Sequence, residues 1–214
     1  MSVSACPVCD GVAVRPLLTD RQGRAYLRCD TCLASFLDPS HFLTAEAEHA
    51  HYLTHENDEN DPRYRSFLSR LADPLLERLA PGSTGLDYGC GPGPALAAML
   101  REAGHEVAVY DPYFAPDDGV LDAGYDFITC TETAEHFHRP GEEFARLASM
   151  LKPGGMLAVM TMFQTDDARF EAWHYRLDPT HVVFYRPETF AVLADRLGLE
   201  CGVVARDVVF LARS

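Results

Sequence analysis

Four cysteines and three glycines have the types and spacing to do chemistry. Cys6 with Cys9 and Cys29 with Cys32 form two C-x-x-C pairs, set far enough apart for a hairpin between them, a spacing that closes a tetrahedral four-thiolate zinc site. All four positions are thiolates, which leaves no coordination position for water, so the zinc reads as structural. A module of this length has too little core to fold unaided, and metal-ligand bonds supply the missing free energy. Cys90, Cys130 and Cys201 have no such partners nearby in sequence and read as small buried residues.

Gly89, Gly91 and Gly93 alternate in LDYGCGPGPALAAML, where an apolar strand pattern gives way to a helical one. Glycine there permits unusual backbone angles and lets a ligand approach without meeting Cβ atoms. Pro94 suits the first turn of the helix that follows, where a missing N–H costs nothing. Asp111 closes the next strand, at the distance from the glycines where a carboxylate hydrogen-bonds a ribose diol. Together they predict a ribose-bearing cofactor. A dinucleotide fingerprint fails because its last glycine would fall on Pro94, and the Gly-Lys-Ser/Thr of a Walker loop is absent.

These residues need a frame, and the rest of the chain predicts one. Residues 1–40 read as a zinc-ribbon-like module, with VAVRPL and RAYLRC as strands around a turn at DRQG. Residues 41–80 read as a helical connector or lid, polar at first and broken by Pro62. An amphipathic helix through Phe67, Leu68, Leu71, Leu75, Leu76 and Leu79 follows and ends at Pro81-Gly82. His41, His49, His51 and His55 in the connector read as a solvated helix face. Residues 81–214 alternate strand and helix, the signature of a parallel sheet covered on both faces, with a Lys152-Pro153-Gly154-Gly155 turn before the strand MLAVMTMF and a closing strand pair at the end.

The pattern Asp87-x-Gly89-x-Gly91-x-Gly93 resembles motif I of class I S-adenosylmethionine (SAM) dependent methyltransferases. Asp111, the TETAEHF segment and the LKPGG turn follow in the order that family shows, so the resemblance covers residues 84–214. The ribbon joined to this domain, and the segment WHYRLDPTHVVFYRPETF at 173–190, look like the bacterial type 12 and type 23 groups. Some members of those groups act on sugars, quinones or other small metabolites. The resemblance implies an α/β fold, a Rossmann-like doubly wound sheet of seven strands whose last strand runs antiparallel. It puts Gly89, Gly91 and Gly93 against the methionine part of SAM, Asp111 on the ribose, and Asp87 at the amino group directly or through water. Glu132, after the fourth strand, would stand beside the cofactor. The stretch from Asp111 to Tyr125 is too short for the usual helix and third strand, so Pro112, Tyr113 and Phe114 are expected to close the adenine side.

Methyl transfer from a sulfonium requires aligning a nucleophile and often removing its proton. Candidate bases at the sheet edge are Glu132, Glu135 and His136, then His174, Asp178 and His181. Of these, His136, His181 and Glu135 are put forward as catalytic, histidine because its unperturbed pKa lies near working pH. Trp173, Tyr175, Phe184 and Tyr185 read as packing ahead of a substrate wall, and Tyr52, His55 and Asn57 as either plain connector or a lid over SAM.

Composition narrows the partners. A net charge of −14 and a pI near 4.9 argue against a protein that coats nucleic-acid phosphates. The ribbon is formally neutral, since Arg15, Arg21, Arg24 and Arg28 are matched by Asp10, Asp20, Asp30 and Asp38. There is no apolar run of the ~18 residues that a membrane span needs, and the start carries neither a basic segment nor an apolar stretch, so a cytoplasmic protein is expected. A small-molecule methyl acceptor fits best. An RNA or protein methyltransferase docking through the ribbon stays open, as does a silent SAM-binding protein, which an intact motif I disfavours.

Overall fold

Strand and helix alternate along the chain as the apolar periodicity requires. The computed structural model describes residues 5–54 and 58–214; His55 and Asn57 of the expected lid lie outside the described residues. The ribbon supplies β1 (Val14–Thr19), β2 (Ala25–Cys29) and β3 (Ser35–Leu37), and the connector supplies α1 (Ala45–Tyr52) and α2 (Pro62–Leu76). Then come β4 (Thr84–Tyr88), α3 (Ala95–Glu102), β5 (Glu106–Tyr110), β6 (Tyr125–Thr131), α4 (Pro140–Ser149) and β7 (Leu151–Met160). The chain closes through α5 (His174–Leu177), β8 (Val183–Phe184), α6 (Pro187–Leu197), β9 (Glu200–Ala205) and β10 (Val208–Ala212).

The main sheet runs in the order β5-β4-β6-β7-β10-β9. The first four strands are mutually parallel, and β10 is antiparallel to both its neighbours. Among the described residues it has six strands, one fewer than the family resemblance implies. The stretch between Asp111 and Tyr125 forms a bridge from Asp111 to Ala115 and a short 3-10 turn at 118–122, which leaves β5 as the edge strand.

Alternation along β6 shows how two helical layers share one sheet. Phe127 faces α2 and α3, packing with Leu68, Leu71, Leu75, Leu96 and Leu100. Ile128, its neighbour, faces α4 and α6 with Phe144, Leu147, Phe190 and Leu193. Successive strand side chains point to opposite faces, so one strand serves both cores. Two local expectations are corrected. Pro62 does not break a helix but begins α2, where Asp61 caps it by accepting the Arg63 N–H at 2.8 Å. The Lys152 to Gly155 segment is no separate turn: β7 starts at Leu151 and carries the segment as a bulge, with Gly154 at φ +77° and the register against β6 shifting between Tyr125 and Phe127.

The second sheet has the order β1-β2-β3-β8. Its fourth strand comes from the late segment, with Ser35 opposite Phe184 and Phe36 opposite Val183. Val182 joins both sheets' territories: its carbonyl accepts the Leu37 N–H at 2.8 Å, and its N–H donates to the Glu135 carbonyl at 2.9 Å. Arg176, 3% exposed, fastens the segment from the other side. It donates to Asp20 Oδ2 and the Tyr26 hydroxyl, each at 3.1 Å, and to the Phe170 carbonyl at 3.0 Å. A buried guanidinium is tolerated there because every one of these contacts is a hydrogen bond to an acceptor or a charge partner.

Candidate active site

The glycine loop leaves β4 at the carboxyl edge of the sheet. Gly89 adopts φ +76°, and a Cβ there would sit 2.2 Å from Thr133 Cγ2, so no other residue fits. Gly91 adopts φ +63° and donates its N–H to Asp111 Oδ2 at 3.1 Å. The other oxygen of Asp111 accepts the N–H groups of Tyr113 and Phe114 at 2.9 and 3.1 Å. The Tyr110 carbonyl accepts from Gly89 and Cys90. Asp111 thus splints the glycine loop to the turn after β5, and Oδ2, which accepts a single N–H, keeps lone-pair capacity for a ligand hydroxyl.

Below this loop opens a cavity of about 720 Å³, within the range of small-molecule sites. Gly89, Gly91, Asp111, Pro112, Tyr113 and Phe114 line one end. Gly93 and Asp87 do not line it. Asp87 is buried behind the loop, accepts the Thr129 hydroxyl at 2.7 Å, and is pushed by burial up to about 6; it supports the loop from beneath instead of facing the cavity.

The other end is built by the turn after β6 and by the late segment. Glu132, Glu135, His136, His174, Tyr175, Asp178 and His181 all line it. Glu132 has φ +49°, and burial with the Glu135 and Asp207 carboxylates nearby pushes it up to about 9. Glu135 is fully buried and likewise raised by burial, although His181 opposes the shift. Asp178 goes the other way. Burial raises it, but the Thr180 hydroxyl and N–H, with His181 and His51, outweigh that and hold it at about 2.

The connector roofs the cavity. Tyr52 lines it and donates to Glu48 Oε1 at 3.0 Å; Glu48 Oε2 accepts the Tyr113 hydroxyl at 3.5 Å, and His138 Nε2 stands 3.6 Å from Oε1. His49 stacks on Tyr113 with centroids 4.7 Å apart, and His51 Nε2 lies 3.3 Å from Asp178 Oδ2. The histidines at 49 and 51 are therefore rim contacts and not a solvated face. Sequence reasoning missed Glu48, His138, Tyr64 and Phe67 as cavity residues; for Glu48, polar spacing on α1 carries no trace of what the helix covers. Tyr175, Phe184 and Tyr185 are buried in aromatic contacts.

In the ribbon the four thiols of Cys6, Cys9, Cys29 and Cys32 converge within 4.8 Å, all buried. Cys6 and Cys32 sulfurs are 3.7 Å apart and those of Cys9 and Cys29 3.6 Å. Zn–S bonds of ~2.3 Å give a tetrahedron edges of ~3.8 Å, so the donor set and its spacing fit zinc. Without a cation the four compete for protons: Cys6 is drawn down to about 6, chiefly by its hydrogen bond with Cys32, while burial drives Cys9 up to about 11.

Residues 57–203 match a protein-family model described as a methyltransferase domain, of type 23. The chain belongs to that methyltransferase family. This is the SAM-dependent group that the glycine loop resembles. Among solved structures, the fold is shared with a 1,6-didemethyltoxoflavin N1-methyltransferase from Burkholderia thailandensis. That structure contains 1,6-didemethyltoxoflavin and S-adenosylhomocysteine (19% identity, 94% of this chain and 99% of that one, TM-score 0.50). It is shared also with human N-acetylserotonin methyltransferase in complex with SAM (15% identity, 71% and 54%, TM-score 0.52). An O-methyltransferase family protein from the same Burkholderia species matches at 20% identity and a TM-score of 0.49, over 79% of this chain and 62% of its own length. No curated protein matches this methyltransferase. None of the described helices is long and apolar enough to cross a membrane.

Proposed function

We propose that this methyltransferase moves the methyl group of SAM onto a small-molecule acceptor held at the far end of the cavity. The observation that carries the reading is one continuous cavity of about 720 Å³, with the glycine loop and Asp111 at one end and His136, His181, Glu132 and Glu135 among the residues at the other. SAM, when bound, supplies a methyl carbon made electrophilic by its sulfonium. Gly89 and Gly91 give the cofactor backbone without side chains, Asp111 accepts from the ribose diol, and Pro112, Tyr113 and Phe114 close the adenine side. Glu132, neutral at working pH, can donate a hydrogen bond where an anion would repel an acceptor. His136 and His181 are the proton acceptors, with Glu135 holding charge behind them, because each imidazole has its Nδ1 on a backbone carbonyl and so offers Nε2 as the base.

Zinc on Cys6, Cys9, Cys29 and Cys32 is structural in this reading, and it secures the sheet whose fourth strand follows His181. A structure of the same fold holds 1,6-didemethyltoxoflavin together with S-adenosylhomocysteine, which supports the substrate class. Docking of RNA or protein through the ribbon is disfavoured by pairing of its arginines: Arg15 with Asp30, Arg24 with Asp20, and Arg28 with Asp167.

The test is transfer of label from methyl-labelled SAM into a fractionated cell extract, with Asp111→Ala as control. Label is expected in the small-metabolite fraction, and Asp111→Ala is expected to weaken S-adenosylhomocysteine ~10–100-fold, the loss of a charge-assisted hydrogen bond worth ~1.5–3 kcal/mol. Label in RNA or protein would overturn the acceptor class, and unchanged affinity would overturn the cofactor placement.

A further inference from the structure

Three electron-pair donors meet at the acceptor end of the cavity. Glu135, His136 and His181 each bring one ligand atom into a group whose members lie within 4.8 Å of one another. Glu135 is 0% exposed. Its Oε2 accepts the Thr161 hydroxyl at 2.9 Å, while Oε1 has no hydrogen-bond partner among the described residues and lies 4.0 Å from His136 Nε2. His136 directs Nδ1 to the Thr180 carbonyl at 3.2 Å, and His181 directs Nδ1 to the Tyr175 carbonyl at 2.6 Å. A carbonyl only accepts, so both Nδ1 atoms carry the proton and both Nε2 atoms present lone pairs. The two rings stand edge to face with centroids 4.7 Å apart.

A buried carboxylate oxygen without a donor costs free energy, and one proton can bridge only two of the three groups. A cation among them would satisfy that oxygen while engaging all three groups. Histidine held through Nδ1 by a backbone carbonyl is the arrangement that fixes metal-ligating imidazoles, and the carbonyls of residues 175 and 180 provide it here. The Thr161 hydroxyl fixes the carboxylate in the same way. We infer that Glu135, His136 and His181 form a second metal site, a two-histidine, one-carboxylate set for a borderline divalent cation such as Zn²⁺, Fe²⁺ or Co²⁺. Such a set leaves coordination positions open, and these face the cavity that the late segment and α1 enclose.

The inference rests on the reading of that cavity as the methyl-transfer site and deepens it. The acceptor class becomes a molecule that ligates a cation through a hydroxyl, enolic or heterocyclic donor, with the histidines acting through the ion in place of direct proton acceptance. Loading must draw the donors together, since metal–ligand bonds of ~2.1 Å bring neighbouring donor atoms to ~3.0–3.4 Å. The cysteine cluster is separate in its ligands and differs in its spectrum.

Equilibrium dialysis of the full-length, metal-stripped protein against Co²⁺ tests this, because cobalt on thiolates absorbs strongly in the near ultraviolet and cobalt on imidazole and carboxylate does not. Wild type is expected to hold two equivalents per chain. Glu135→Gln and His181→Gln are each expected to lose one equivalent and keep the thiolate band, which doubles as the check that the ribbon is folded. A wild-type count of one with the full thiolate band, or two equivalents retained in both variants, overturns the second site. S-adenosylhomocysteine titrated into the same samples reports separately on the cofactor end. Failure to bind it would remove the methyl-transfer reading and leave the metal count standing.

Discussion

The two ends of the cavity are built by different means. The glycine-loop end, where we place the cofactor, comes from one short stretch, Gly89 to Phe114, in which strand, loop and strand fold back on themselves and Asp111 ties the turn to the glycine loop with three backbone hydrogen bonds. The end where we place the acceptor has no local origin. His136 and His181 come together because β8 pairs with β3, because Val182 bonds to Glu135, and because Arg176 is pinned on Asp20 and Tyr26. The ribbon therefore shapes the acceptor wall while having no lining residue in the main cavity among the described residues. A site of this kind can change acceptor by altering the late segment while its cofactor loop stays fixed.

The largest effect that would break this contrast lies in the cysteines. Cys32→Ser is expected to release β3 and with it β8, lowering methyl transfer by at least ~100-fold, or ~2.7 kcal/mol in transition-state terms. The affinity for S-adenosylhomocysteine should change far less, and isothermal titration calorimetry beside a rate assay measures both. Equal losses at the two ends would dissolve the distinction. Of similar size is Arg176→Ala, which leaves the buried Asp20 carboxylate with Arg24 as its remaining guanidinium partner and should cost ~3 kcal/mol of stability in urea unfolding. Its effect on KM for the acceptor should exceed its effect on cofactor affinity.

The smallest effect sharpens the contrast by pH. Asp178 is held at about 2 in the fold against an ordinary 3.8. A carboxyl whose folded pKa is depressed contributes stability above its unfolded pKa and loses it as pH falls through the folded value. Asp178→Asn should therefore cost about 2 kcal/mol at neutral pH, with the gap between variant and parent closing from ~pH 4 down to ~pH 2. Urea midpoints taken across that range give the slope, and a gap that stays constant would mean the ionised carboxylate is not what holds the late segment.

The same contrast explains what could be read in the sequence. The glycine spacing, Asp111 and the paired C-x-x-C motifs are short-range patterns, so their clustering in the fold shows in the chain itself. So does the absent strand, since the stretch from Asp111 to Tyr125 has no room for both a helix and a strand. The union of β8 with the ribbon sheet was not legible, because a two-residue strand leaves no periodicity and its partner lies far back in the chain. Glu48 and His138 were hidden for a related reason: on α1 the glutamate looks like any solvent-facing acid until the helix is seen folded over Tyr113. Histidines 49 and 51 misled in the same way. Asp87 misled differently, as its place in the motif says that it is needed but not whether it faces ligand or core.

One further consequence of β8 concerns time. Ser35 and its partner Phe184 are 149 residues apart in the chain (184 less 35), and at ~5–20 residues per second of synthesis that separation is roughly 7–30 s on the ribosome. For that interval the ribbon sheet has an open edge at β3 and no wall to lean on. The convergence of four thiols beside it supplies a local closure that needs nothing from the later chain, so the ribbon can wait as a preassembled template until the segment it is to receive has been made.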